Sequence, residues 1–379
     1  MNSHPGDNHP GGPAQPLMDL RSDTVTRPTE AMYAAMATAE LGDDGLDGDP
    51  TARLLEAETA QLLGKAAGLY VPSATMANLL AVLIQAGRQE TVLMEATSHL
   101  YRAERGAATL TGSFFEGITG QAGAMHMDLL ATAIAPGRGK LRPALVCMET
   151  SHNDAGGAAL PLTHMQAVQQ LAQRHGAAVH LDGARLFNAS VALGLAPKVL
   201  ADTACTVSVC LSKGLSAPMG AVLVGPAPVI QQARGLRKML GGSQRQVGIA
   251  AAAGRVAIHA MVARLADDHE RARQLSQGLH GAKDSSGLRV NWPQTNIVQV
   301  DVSATGLDAE GWTSRLREHG VLVRPWGRAL LRCVTHRHVD DMQIAAVIEA
   351  FRAVAATLPS TGHSRDIGSD VARPAAAIS

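Results

Sequence analysis

Apolar runs of strand length recur through the chain, separated by segments with helical periodicity, and that alternation leaves few folds open. Strand candidates are Thr91 to Met94, Ala144 to Met148, Ala177 to Leu181, Thr206 to Leu211 and Ala221 to Val224. Ala74 to Gln85 and His164 to Arg174 carry helical patterns between them, and Leu54, Leu55, Leu62 and Leu63 recur at two-turn spacing before them. Strand, helix, strand repetition needs crossover connections, so the expected class is α/β: a mostly parallel central sheet with helices on both faces. In such sheets working residues collect at the carboxyl ends of strands. From about Ser243 the pattern turns helical through Leu265 and on to Leu279. A smaller α/β unit follows, with strands Ile297 to Val302, Val321 to Val323 and Leu330 to Val334 and a helix Glu310 to His319. Its last helix aligns Ile344, Ile348, Phe351 and Leu358 on one face. The expected organisation is a large domain over 17–265 and a small C-terminal domain over 266–358, flanked by disordered tails over 1–16 and 359–379.

Composition narrows the function classes. The 33 basic and 33 acidic residues cancel, which argues against nucleic acid and anionic membranes as partners. Cys147, Cys205, Cys210 and Cys333 lie in apolar runs with no CxxC pair, so buried free thiols are expected. No secretory h-region and no stretch of membrane-spanning length is seen, and a cytoplasmic, soluble protein is expected.

Two strand ends carry chemistry. Lys213 leaves the run Thr206 to Leu211 into a Gly/Ser/Pro turn, and Asp182 with Arg185 leaves Ala177 to Leu181 in the same way. An amine able to form a Schiff base and a carboxylate for a pyridine nitrogen are the equipment for holding pyridoxal phosphate (PLP). Val71-Pro72-Ser73-Ala74-Thr75-Met76-Ala77-Asn78 runs from a strand end through hydroxyl residues into a helix, which suits a phosphate; an ordinary N-cap is the plain alternative. The chain has no GxxxxGK[ST] and no strand followed by GxGxxG. His99 follows a strand end and could stack on a ring or move protons. Arg185 and Arg332 offer bidentate donors for a substrate carboxylate, while Arg245 lies in the glycine-rich start of a helix, a setting for phosphate. His336 and His338 would share one strand face, but no third ligand is near in sequence, so no metal site is expected.

Together these segments resemble the threonine aldolase family of fold-type I PLP enzymes, grouped with the β-eliminating lyases. The match spans roughly Met18 to Val339. It rests on Asp19-Leu20-Arg21-Ser22-Asp23-Thr24-Val25-Thr26-Arg27-Pro28, Gly42-Asp43-Asp44 with Asp49-Pro50-Thr51, and His180-Leu181-Asp182-Gly183-Ala184-Arg185-Leu186-Phe187-Asn188. Cys210-Leu211-Ser212-Lys213-Gly214-Leu215 and Leu331-Arg332-Cys333-Val334-Thr335-His336 complete it. The resemblance implies Lys213 as Schiff-base lysine, Asp182 as partner of the ring nitrogen and His99 as the stacking histidine. It implies Ser22, Arg185 and Arg332 for the substrate carboxylate. Ala74, Thr75 and a second subunit's Arg245 would bind phosphate, within a homotetramer built as a dimer of dimers. The family's usual Gly is Ala74 here, its usual aromatic after Gly-Asp-Asp is Leu46, and Ala103 stands where some relatives carry an aromatic.

The implied activity is reversible retro-aldol cleavage of a β-hydroxy-α-amino acid, of L-threonine or L-allo-threonine type with phenylserine as a further candidate, to glycine and an aldehyde. His99, or a water it positions, is the expected base for the β-hydroxyl proton. Racemisation, transaldolation or β-elimination on the same scaffold remain open, as does a catalytically silent PLP-binding protein.

Overall fold

The computed structural model describes residues 17–280 and 287–358; the expected tails, 1–16 and 359–379, lie outside the described residues. Seven strands form the main sheet: β1 (Ala67–Val71), β2 (Thr91–Glu95), β3 (Phe114–Ile118), β4 (Pro143–Glu149), β5 (Ala178–Gly183), β6 (Thr206–Cys210) and β7 (Ala221–Gly225). Their order is β1-β7-β6-β5-β4-β2-β3, and only β7 runs against its neighbours. The carboxyl ends of the six like-directed strands therefore open on one edge. Glu95, Glu149, Asp182 and the turn leading to Lys213 all arrive there.

Both faces of the sheet are covered. Tyr70, Leu93, Val146, Met148 and Leu181 point into one apolar core, while Leu69, Val71, Val92, Met94, Leu145 and Cys147 point into cores on the opposite side. Burial on two faces explains why the central strands read as continuous apolar runs rather than as an alternation. The edge strand β3 escaped the sequence reading because Phe114 and Glu116 face solvent and Gly117 interrupts it. Gly117 is required there, since a Cβ would meet the Tyr101 ring at 2.8 Å.

Helix boundaries have local causes. Asp49 caps Pro50–Leu62 by accepting from Ala52 N, with proline at the first turn. Ser73 caps Ala74–Gln85 through Met76 N at 3.2 Å. The long helical stretch after Ser243 is two helices, Gly248–Ala260 and Leu265–His280, bent at 69° to each other. Among the described residues no single helix is long and apolar enough to cross a membrane.

The C-terminal part forms an antiparallel sheet of β8 (Arg289–Val290), β9 (Ile297–Asp301), β10 (Arg324–Pro325) and β11 (Leu330–Val334), in the order β8-β9-β11-β10. Helices Ala309–Glu318 and Asp341–Ala356 pack on it through Trp312 and Phe351, whose rings stack at 5.8 Å. Met18–Asp19 pairs in parallel with Val321–Leu322, and Leu20 is buried in this second core. Leu20 O also accepts from Val334 N at the end of β11, so the N-terminal segment is anchored on the C-terminal part before it crosses to the main sheet, which carries Ser22 and Asp23 to the junction. All four cysteines are free thiols; Cys205 is half-buried and the others are buried.

Candidate active site

A cavity of about 520 Å³ opens where the carboxyl edge of the main sheet meets β10 and β11. Ser22, His99, Arg185, Lys213 and Arg332 all line it, although they come from five separate stretches of sequence. Lys213 sits in the turn after β6, held by Ser216 N and Thr26 Oγ1, which both donate to its carbonyl at 2.8 Å. Ser216 closes that turn with φ of +66°. The Lys213 amine has no hydrogen bond or ion pair with a described side chain, and the residue lines the cavity.

Asp182, in β5, lies beneath the cavity and is 1% exposed. Its Oδ2 accepts from Asn78 Nδ2 at 2.9 Å, and its Oδ1 from the Ala184 N–H at 3.0 Å and Ser208 Oγ at 3.4 Å. Asn78 Oδ1 accepts from Ser208 Oγ at 2.8 Å and from His180 Nε2 at 3.1 Å. Burial holds the His180 ring down at about 4, so it is neutral; its Nδ1 accepts from Thr206 Oγ1 at 2.9 Å. Asp182 therefore has neutral donors and no ion pair among the described residues. A buried carboxylate so arranged is matched to a cationic partner, such as a protonated ring nitrogen, brought by a ligand.

His99 begins the short helix His99–Arg102, whose N-cap is Ser98. Its backbone N–H donates to Glu149 Oε2 at 2.6 Å, and its Nδ1 lies 2.9 Å from Glu104 Oε1. The Glu104 hydrogen bond pushes the imidazole pKa up; burial opposes it, and the charges of Glu104, Asp182 and Glu149 add to the rise. Glu104 is buried and also receives Thr75 Oγ1 at 3.2 Å and Asn78 Nδ2 at 3.3 Å. The sequence assigns no role to Glu104 and places Asn78 only at the end of the phosphate-suited run. Asn78 lies one turn along the helix from Ala74, and Glu104 closes the turn after His99, its N–H bonded to His99 O at 3.2 Å, but neither spacing marks the residue as part of a site.

The wall nearest β11 is built around two guanidinium groups. Arg185 is buried and bound in a fork by Asp23, with Asn153 Oδ1 at 3.3 Å from its third nitrogen. Burial pushes the Asp23 carboxyl up, but the charge and hydrogen bonds of Arg185 outweigh it and hold the group far below the usual carboxylate range. Arg332 lies within β11, not at a strand end. It donates to Asn153 Oδ1 at 2.9 Å and Arg21 O at 3.0 Å, and its guanidinium covers the Trp326 ring at 4.2 Å. Burial and the neighbouring Arg185 lower it to about 10, still protonated at neutral pH, and its buried Nε has no partner. Ser22 Oγ accepts from Thr24 N at 3.2 Å and caps a single 3-10 turn. Trp326 Nε1 donates to Asp154 Oδ1 at 2.6 Å and fixes the outer wall.

Other expected positions lie elsewhere. Ala74 and Thr75 start their helix as expected, and Thr75 reaches the site through Glu104. Arg245 is away from the cavity, largely exposed and 3.3 Å from Asp43. Ala103 lines the cavity, whereas Leu46 is 80% exposed. His336 and His338 do not share a strand face: β11 ends at Val334, and both follow it. His336 Nε2 donates to Asp19 O at 2.7 Å, and His338 Nε2 accepts from Arg27 N at 3.0 Å. Gly120 to Gly139 forms a small hairpin and the helix Met127–Ile134, outside the cavity.

The sheet order and a lysine and an acid on one carboxyl edge define the fold-type I class of PLP-dependent enzymes. More narrowly, the chain belongs to the β-eliminating lyase family, whose profile matches residues 19–305. It is 39% identical over 350 residues to a low-specificity L-threonine aldolase of Arabidopsis thaliana, covering 90% of this chain and 97% of the relative. Identity to the low specificity L-threonine aldolase of Escherichia coli K12 is 37% over 340 residues, covering 89% and 99%. The solved structure of Leishmania major threonine aldolase superposes with a TM-score of 0.75 at 18% identity, covering 89% of this chain and 99% of that one.

Proposed function

We propose that this protein is a PLP-dependent aldolase that reversibly cleaves β-hydroxy-α-amino acids of the L-threonine or L-allo-threonine type to glycine and an aldehyde. The observation that carries the reading is the convergence, in one cavity, of a lysine amine without a partner among the described residues, a guanidinium pair and a histidine, beside a buried carboxylate whose described donors are neutral. Residues of this chain fit the cofactor. Lys213 would hold its aldehyde carbon, Asp182 its ring nitrogen, and His99 the face of its ring. Ala74 and Thr75 at a helix N-terminus would take its phosphate. When bound, PLP supplies an electron sink for the pair left as the Cα–Cβ bond breaks.

The remaining work falls to side chains. Arg332, with its free Nε–H, Arg185 and Ser22 fix the substrate carboxylate and thereby its rotation about Cα. That rotation selects the bond that breaks. His99 accepts the β-hydroxyl proton, directly or through a water. Arg245, exposed in the single chain, would complete the phosphate site of a second subunit in a homotetramer. We divide the chain at 265/266 into a large PLP-binding domain and a small C-terminal domain, and place the protein in the cytoplasm; its free thiols support that compartment.

Incubating the holoenzyme with L-threonine, L-allo-threonine and phenylserine tests the reading. Stoichiometric glycine and aldehyde are expected. Racemised substrate without glycine would replace the aldolase by a racemase on the same scaffold.

A further inference from the structure

Glu104 has no counterpart among the expected roles, yet it has more polar contacts than the histidine it faces. It is buried, with a side chain 5% exposed, and accepts from Thr75, Asn78 and the His99 ring. An ionised carboxylate only accepts, so the 2.9 Å contact places the proton of His99 on Nδ1. Nε2 is then the ring nitrogen with no described partner. From the other side Glu149 anchors the His99 backbone N–H. Asn78 donates to both Glu104 and Asp182, so ring-nitrogen acid, phosphate helix and histidine share one network. A ring nitrogen of His99, a Glu104 oxygen and an Asp182 oxygen lie within 4.8 Å of one another.

We infer that Glu104 is a positioning residue that fixes the Nδ1–H tautomer of His99 and sets the proton affinity of its Nε2. Asp182 and Glu149 act on His99 and the buried Cys147 thiol faces Glu104; neutral His180 reaches the pair only through Asn78, Lys213 and Arg185 line the same cavity as His99, and Arg102, the next turn's cation, is paired with Asp154. Removing the Glu104 charge therefore removes the closest charge acting on the imidazole. The kinetic consequence rests on His99 being the base of the proposed reaction; the tautomer and its proton affinity do not.

The test is NMR titration of holoenzyme carrying ring-labelled histidine, with His99→Asn to assign the signal. In the wild type His99 titrates above an ordinary histidine with its proton on Nδ1, and in Glu104→Gln its midpoint moves to lower pH. An unmoved midpoint would overturn the inference, whatever the enzyme's reaction. If Glu104→Gln does not accumulate as folded protein, Glu104→Asp, which withdraws the charge without deleting it, gives the same downward displacement or refutes it. A double-mutant cycle adds a kinetic arm. Glu104→Gln should lower cleavage kcat in the wild-type background and add little to His99→Asn. Equal losses in both backgrounds would show that Glu104 does not act through His99.

Discussion

Asp23 and Arg185, 162 residues apart, meet in a buried fork in which Nε donates to Oδ2 and a terminal nitrogen to Oδ1, each at 2.8 Å. The pair joins the N-terminal segment, already anchored on the C-terminal part, to the carboxyl end of β5. It also turns Arg185 toward the cavity with one nitrogen left for Asn153 and a ligand. Asp23→Asn leaves a buried guanidinium half-paired, which costs about 3–5 kcal/mol of stability. The folded Asp23 carboxyl lies below its unfolded value, so its contribution is present above about pH 4 and is lost as pH falls through the folded value. Urea unfolding should show the full gap between wild type and variant at pH 7 and a narrower one only in strong acid.

Asp182→Asn replaces the acceptor of three neutral donors with an amide that cannot pair with a cation. Losing one charge-assisted hydrogen bond is worth roughly 1.5–3 kcal/mol, or about tenfold to a hundredfold. Equilibrium dialysis should show weaker retention of PLP, and the remaining holoenzyme should turn over more slowly. Unchanged retention and rate would remove Asp182 from the cofactor site.

Arg245 gives a prediction about assembly. Arg245→Ala and Lys213→Ala should each be inactive as homo-oligomers. Mixed and reassembled, they should regain part of the activity. In a hybrid one site takes its lysine from the first variant and its arginine from the second. No recovery, with hybrids verified by mass spectrometry, would confine Arg245 to its own subunit.

His180 and His269 predict a loss of stability toward acid. Burial holds both at about 4, the charge of Arg273 adding to the effect at His269. Their folded values lie below the unfolded one, so the unfolded chain gains protons first as pH falls from about 6.5. Each then costs up to roughly 3 kcal/mol by pH 4. His180→Gln should show a shallower decline between pH 7 and pH 5 in the same urea assay. An equal slope would mean that His180 is not buried neutral.

What could be read from sequence follows from what leaves a local trace. The central strands β4, β5, β6 and β7 are apolar runs because they are buried on both faces, and Lys213 and Asp182 were visible as their polar ends. Phe114–Ile118 left no such trace, because an edge strand with one solvated face resembles a loop. Glu104 and Asn78 were hidden for a different reason. Their importance arises from a meeting of β2, β5 and the helix after β1, which no spacing in the chain displays. The expectation that His336 and His338 share a strand face failed because the strand stops at Val334, two residues too early. Arg332 was found, but its neighbour Trp326, which covers one of its faces, required the register of β10 against β11.

The central claim is that Lys213 and its surroundings catalyse Cα–Cβ cleavage. Glycine and acetaldehyde release from L-allo-threonine, measured side by side for wild type and Lys213→Ala, tests it most directly. The account predicts equal molar amounts of both products from the wild type and none from the variant. Product formation by Lys213→Ala at the wild-type rate would contradict it.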